Sequence, residues 1–158
     1  MFKTTWNTGS NTTTDFVDIL EQIKKHTLLN GTTYIGTDSF FIKDLCIFST
    51  AICLYGADNQ QGGRYFYTKR KLNRNQFPEL SIRMIKEAEN TISLANLIVE
   101  EIENVKLELH LDISPQENKE GTSHLASMLV GYVKGSGFEC KTKPYAFAAA
   151  SIADKHSK

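Results

Sequence analysis

Two aspartates stand where apolar, strand-like runs come to an end. Asp38 follows Tyr34, Ile35 and Gly36 in "YIGTDSF", and Asp112 closes the alternating run "NVKLELHLDIS". Each also reads as an ordinary turn acid, since aspartates commonly start Asx turns. If the two strands are parallel neighbours, both carboxylates emerge at one end of the sheet. Open α/β sheets bind ligands outside the carboxyl ends of their strands. Two carboxylates held close together repel, which raises a pKa unless a cation intervenes. Hard oxygen donors of this kind suit Mg2+ or Mn2+. Cys46, Cys53, Cys140 and the four histidines form no zinc-type set.

Other polar residues offer further chemistry. His110 shares a strand face with Asp112. It reads either as a structural histidine or as a supporting partner or proton shuttle for that acid. Glu108 is on the same face and reads as solvated or paired with a lysine. Ser39, beside Asp38, joins His110 as a candidate supporting residue. Neither Ser39 nor Ser123 has an evident Ser-His-Asp arrangement. The densest basic run is "TKRKLNR", with Lys69, Arg70, Lys71 and Arg74. It is a solvated loop in one reading and a grip on a phosphate backbone in the other, helped by Lys141 and Lys143. Tyr65, Phe66 and Tyr67 beside it read as core.

The elements that must position these residues follow from periodicity. Residues 1–12 are Thr-, Asn- and Ser-rich and expected to be irregular. "TTTDFVDILEQIKKHT" predicts an amphipathic helix capped by Thr13 or Thr14. Three strands follow, "TTYIGTD", "LCIFSTAICLYG" and "RYFYTKR", joined by the turns "SFFIKD" and "GADNQQGG" as a meander. Residues 78–103 predict a long helix with Leu80, Met84, Ile85, Ala88, Ile92, Ala95, Val99 and Ile102 as its apolar stripe. The strand ending on Asp112, a loop "SPQENKEGT", a helix, a strand "FECKTK" and a closing helix complete the chain. The expected fold is α/β: a five-stranded mixed sheet in βββαβαβα order, with an extra N-terminal helix, in a single domain spanning residues 1–158.

Composition adds bounds. The 18 basic and 18 acidic residues cancel, so charge gives no global argument for nucleic acid or membrane. The odd cysteine count predicts free thiols and a reducing compartment. No stretch approaches the roughly 20 apolar residues of a membrane span. The segment "MFKTTWNTGSNTTT" has no apolar signal core. The expected location is cytoplasmic. An open edge on the third strand leaves room for a dimer.

With these elements in order, "IGTDS", "HLDIS" and "GFECKTKPYAFAAASIADKHSK" resemble the ribonuclease H-like superfamily, and within it the YkuK type of predicted nucleases. The resemblance covers roughly residues 30–158. Its motifs are G-T-D-S, then H-x-D, then K-P with a trailing A-D-[RK]; their order and spacing, rather than any one alone, carry it. The resemblance implies an acidic set of Asp38, Glu87, Asp112 and Asp154 holding Mg2+ or Mn2+, with two ions. The long helix offers both Glu87 and Glu89; "RMIKE" is similar to the family's pattern at Glu87. The implied activity is hydrolysis of phosphodiester bonds in RNA, DNA or a hybrid, with nucleic acid as partner. A non-catalytic module of the same fold, binding nucleic acid or protein, is the alternative, and the neutral charge favours it. The family often carries Gln after the Ser of G-T-D-S; Phe40 stands there in this chain.

Overall fold

Trp6 organises the N-terminus. The computed structural model describes residue 2, residues 4–114 and residues 123–157. Trp6 is fully buried, donates from Nε1 to the Phe2 carbonyl at 2.8 Å, and stacks on Phe16 with ring centroids 6.2 Å apart. So anchored, Trp6–Thr8 forms β1 and Thr13–Thr14 forms β2. This corrects the irregular N-terminus expected from composition. Two apolar side chains, Phe2 and Trp6, suffice to fix a polar stretch once they reach the core. The helix α1 (Phe16–Leu28) is capped not by a threonine but by Asp15, whose carboxylate accepts from the Asp18 amide at 2.8 Å.

The meander is longer than expected. β3 (Thr32–Ile42) and β4 (Leu45–Tyr55) pair along their whole length, from Thr32 opposite Tyr55 to Ile42 opposite Leu45. Only Lys43 and Asp44 remain as the turn, with Lys43 at φ +53°. Asp38 therefore does not end its strand; it lies within it. β5 (Arg64–Asn73) pairs with β4 through Asn73, so Lys69, Arg70 and Lys71 lie on a strand rather than in a loop. The edge of β5 expected to be open is covered by β1, with Asn7 opposite Tyr67 and Thr8 opposite Phe66.

A 3-10 turn, Arg74–Gln76, leads to α2 (Leu80–Glu101), β6 (Leu107–His110), α3 (Ser123–Gly135) and β7 (Glu139–Lys141). The chain closes with a π-helical segment, Ala148–Ala153, and α4 (Asp154–Ser157). The loop expected at "SPQENKEGT" lies, from Pro115 on, outside the described residues. Among the described residues the strands form one sheet in the order β2-β1-β5-β4-β3-β6-β7, seven rather than five. β6 runs parallel to both β3 and β7. α2 buries Met84, Ala88, Ile92 and Ala95 as expected, but its inner face turns through Leu94 and Ile98. Leu80 and Val99 are exposed.

Successive β3 residues serve opposite faces. Ile35 and Thr37 face α2, where the Thr37 and Thr91 hydroxyls meet at 2.8 Å. Gly36 faces the closing segment. A Cβ on Gly36 would lie 2.4 Å from the Ala149 nitrogen and 2.7 Å from the Ala148 carbonyl carbon. Its bare backbone lets the π-helical segment lie directly on the strand. His110 fastens that segment: its Nδ1 accepts from the Ala148 amide at 3.0 Å, and its Nε2 donates to Glu108 Oε1 at 3.0 Å. His110→Ala is expected to lower stability by about 2 kcal/mol, because it strands a buried amide and a carboxylate. Urea unfolding measures the loss. No helix among the described residues is long and apolar enough to cross a membrane. The three cysteines are free thiols.

Candidate functional site

The site forms where β6 leaves the sheet and β3 continues. The last pair between them is Gly36 opposite His110. Extending each strand by two residues sets Asp112 abreast of Asp38. Past His110 the chain stays extended: the Leu111 amide donates to the Lys141 carbonyl at 2.9 Å, and the Lys143 amide to the Ile113 carbonyl at 2.9 Å. The β3 edge beside Asp38 is therefore free of backbone pairing with β6. Acids carried by helices on both faces of the sheet can reach it.

Two helices supply such acids. Asp154, the first residue of α4, is hydrogen-bonded to Asp38. Glu87, from α2 on the opposite face, is 8% exposed and accepts from Ser39 Oγ at 2.5 Å. Glu89 points elsewhere, pairing with Lys86 at 3.8 Å. Burial separates the two glutamates that periodicity left equivalent.

Electrostatics tie the set together. Burial, then the hydrogen bond to Asp154, then the charge of Asp112 push the Asp38 carboxyl up to about 8; the Ser39 amide partly opposes this. Burial, followed by the charge of Asp38, holds Glu87 well above its ordinary value, and the Ser39 hydroxyl and Arg83 act against that. Asp38 and Glu87 thus feel the neighbouring acids across a largely dry space. One cation is at hand: Lys143 Nζ lies 3.2 Å from Asp112 Oδ1. That contact is an ion pair without hydrogen-bond alignment, because Oδ1 is buried and has no hydrogen-bond partner. Ser49, opposite Asp38 in β4, also carries a buried hydroxyl without a partner.

These features fit a hard divalent cation. The donors are carboxylate oxygens, one of them orphaned, and their mutual repulsion is what such an ion relieves. Asp38, Glu87, Asp112 and Asp154 would hold it. As the side chains stand, no three His, Cys, Asp or Glu groups among the described residues close on one point. Glu87 is engaged by Ser39 and Asp112 by Lys143, so an ion taking these carboxylates competes with those two contacts.

Residues 15–158 match the protein family described as ribonuclease H-like. The chain belongs to the ribonuclease H-like family. Its mixed α/β architecture accords with that fold, and membership points to a nuclease-like or nucleic-acid-related function. Searches of curated proteins and of solved structures returned no match.

The other expected residues divide. His110 does not serve Asp112: both ring nitrogens are engaged by Ala148 and Glu108, and burial lowers its pKa. Glu108 pairs with that histidine rather than with a lysine. Lys69 and Arg70 line a cavity of about 420 Å3 with Phe48, Thr50 and Asn90, one turn of α2 beyond Glu87. Lys71 is exposed, opposite Ile47. Lys143 reaches the acids themselves, and Arg74 lies over the Phe41 ring. Three participants were not foreseen. Arg83 is one turn before Glu87, and Ser49 is across from Asp38. His156 stacks on Tyr67 at 3.7 Å and meets the Tyr65 hydroxyl at 2.9 Å. Only Arg83 carried a signal, its i, i+4 spacing from Glu87.

Proposed function

We propose that this protein is a metal-dependent nuclease that hydrolyses phosphodiester bonds in nucleic acid, of the YkuK type within its family. The observation that carries the reading is the meeting of Asp38 and Asp154 in one hydrogen bond, with the charge of Asp112 acting on both Asp38 and Glu87. Four acids from two strands and two helices are costly to gather, since each buried like charge destabilises its neighbours. A cation site gives that cost a use.

In this reading Asp38, Asp112 and Asp154 would hold the ion, joined by Glu87 once its bond to Ser39 yields. Mg2+ or Mn2+, bound as one ion or two, would supply an activated water and stabilisation of the leaving oxygen. The protein then needs no side-chain nucleophile. Lys143 pairs with Asp112 and is placed to meet a phosphate when a cation takes over that carboxylate. The motifs "IGTDS", "HLDIS" and "KPYAFAAASIADK" support the YkuK assignment. Phe41, three residues past Asp38, packs with Cys46, Phe48 and Phe77.

Glu87→Gln is expected to reduce Mn2+-dependent cleavage by roughly 100-fold or more, while Glu89→Gln leaves it unchanged. Single-stranded RNA, single-stranded DNA and a hybrid duplex are each assayed with both ions. Equal losses in the two variants would remove Glu87 from the site. A wild-type protein that cuts none of the substrates and takes up no Mn2+ in calorimetry returns the assignment to the non-catalytic module, the reading favoured by the equal numbers of acidic and basic residues.

A further inference from the structure

Two guanidinium groups share one aromatic ring beside the acidic site. The Arg74 Cζ lies 4.3 Å from the Phe41 ring centroid and the Arg83 Cζ lies 4.7 Å from it. Arg74 comes from the 3-10 turn after β5 and is fastened by donating from Nη1 to the Lys43 carbonyl at 3.2 Å. Arg83 comes from the start of α2, one turn before Glu87. Phe41 itself is fixed by the cluster of Cys46, Phe48 and Phe77.

Among the described residues neither arginine is closed into an ion pair, although the Arg83 charge reaches Glu87 one turn on. The Arg83 Nε is buried and has no hydrogen-bond partner. Two like charges on one ring repel each other, and the ring's π face offsets only part of that. An anion reaching both offsets the rest. Guanidinium forks match the oxygens of a phosphate in particular, two donors to two acceptors. Cys46, in the cluster that Phe41 packs against, feels the charges of Arg83, Glu87 and Arg74, and Arg83 stands one turn of α2 before Glu87, so the pair and the acids border one another.

We propose that Arg74 and Arg83, held on Phe41, form a phosphate-binding subsite that grips a nucleic acid strand next to the acidic centre. The proposal rests on the nucleic-acid reading of that centre. The phosphate is either a backbone phosphodiester or a strand's 5′-terminal phosphate; the chemistry is shared. The subsite gives the acids a fixed strand polarity: a phosphate clamped on α2, one turn from Glu87, sets which neighbouring linkage reaches Asp38.

Fluorescence anisotropy in EDTA tests this with a single-stranded oligonucleotide, bearing either a 5′-hydroxyl or a 5′-phosphate, across a salt series. Arg74→Met and Arg83→Met are each expected to weaken binding about tenfold, the loss of one charge-assisted contact. Each should also lower the dependence of log K on log salt by about 0.7, the value for one phosphate contact on a single strand. Arg83→Lys should restore the salt slope but not the full affinity, because lysine lacks the fork and the stacking plane. A preference of wild type for the 5′-phosphate that the double variant loses assigns a terminal phosphate; equal binding of the two oligonucleotides assigns the backbone. Unchanged affinity and slope in both Met variants overturns the subsite. So does a wild type whose oligonucleotide binding is absent or indifferent to salt. Loss of Mn2+ uptake and cleavage with this binding intact would instead overturn the nuclease reading and leave the subsite standing.

Discussion

Replacing Asp38 by Asn is expected to raise the melting temperature of the metal-free protein at pH 8 and, in the same protein, to abolish Mn2+ binding. Asp38 is 7% exposed, and its carboxyl is pushed up to about 8 by burial first, then by the hydrogen bond to Asp154, then by the charge of Asp112. The sign follows from proton counting. In the unfolded chain Asp38 loses its proton near pH 4; in the folded protein it keeps it to about 8. Between those values the folded state holds the extra proton, so stability falls as pH rises, by at most about 1.4 kcal/mol per pH unit for one such proton. Glu87, also shifted upward, adds to the same slope. Asn keeps the shape and removes the ionisation. Relief of about 2 kcal/mol corresponds to roughly 4–8 °C for a chain of this size. Wild type should therefore melt lower at pH 8 than at pH 5.5, Asp38→Asn should flatten that difference, and Mn2+ should flatten it in wild type alone. Thermal melts at both pH values, with and without Mn2+, measure all of this. A wild-type melting temperature that climbs from pH 5.5 to 8 would contradict the crowded-acid account of the site. Stabilisation of the Asn variant by Mn2+ equal to that of wild type would remove Asp38 from the ligand set.

The legible part of this site is the part that rests on strand register. Asp38 and Asp112 could be matched from sequence because a parallel pair advances both strands equally, and the observed register of Gly36 with His110 carries that match forward. Asp154 was legible only through the K-P and A-D motifs; the π-helical turn that delivers it, Ala148–Ala153, has no periodicity of its own to read. Glu87 and Glu89 were inseparable by pattern because both flank the apolar stripe. The hydroxyl that selects between them, on Ser39, sits on a strand far away in sequence. The length of β3 was misjudged for a related reason. Asp38 and Ser39 are poor strand residues by propensity, yet pairing with Ser49 and Phe48 holds them extended. Trp6 and Phe2 show the converse: local composition was polar, but two buried rings decided the N-terminus. His110 was placed on a face with both a structural and a supporting reading open, and the structural one holds; no spacing rule foretells that the backbone of the closing segment will claim its ring.

Gly36 makes the same dependence testable, and its replacement by Ala should undo the site without touching a single acid. The glycine's job is space. The atoms that a Cβ would strike are backbone, the Ala149 nitrogen at 2.4 Å and the Ala148 carbonyl carbon at 2.7 Å, and backbone cannot rotate away as a side chain can. The π-helical segment must lift, and overpacking of this kind costs about 3 kcal/mol. Lifting it breaks the bond from the Ala148 amide to His110 Nδ1 and carries Asp154, one residue past the segment, away from Asp38. Gly36→Ala is therefore expected to destabilise the protein, to speed amide exchange through Ala148–Ala153, and to lose Mn2+ binding with Asp38, Glu87 and Asp112 intact. The cost should also fail to add to that of His110→Ala, because both substitutions release the same segment and groups that share a partner couple. Urea unfolding of the two single variants and the double variant measures that coupling; calorimetry with Mn2+ measures the site. Additive losses would mean that the two residues hold different elements. Full Mn2+ affinity in Gly36→Ala would mean that the closing helix brings no ligand to the ion, and that the centre is built from the sheet and α2 alone.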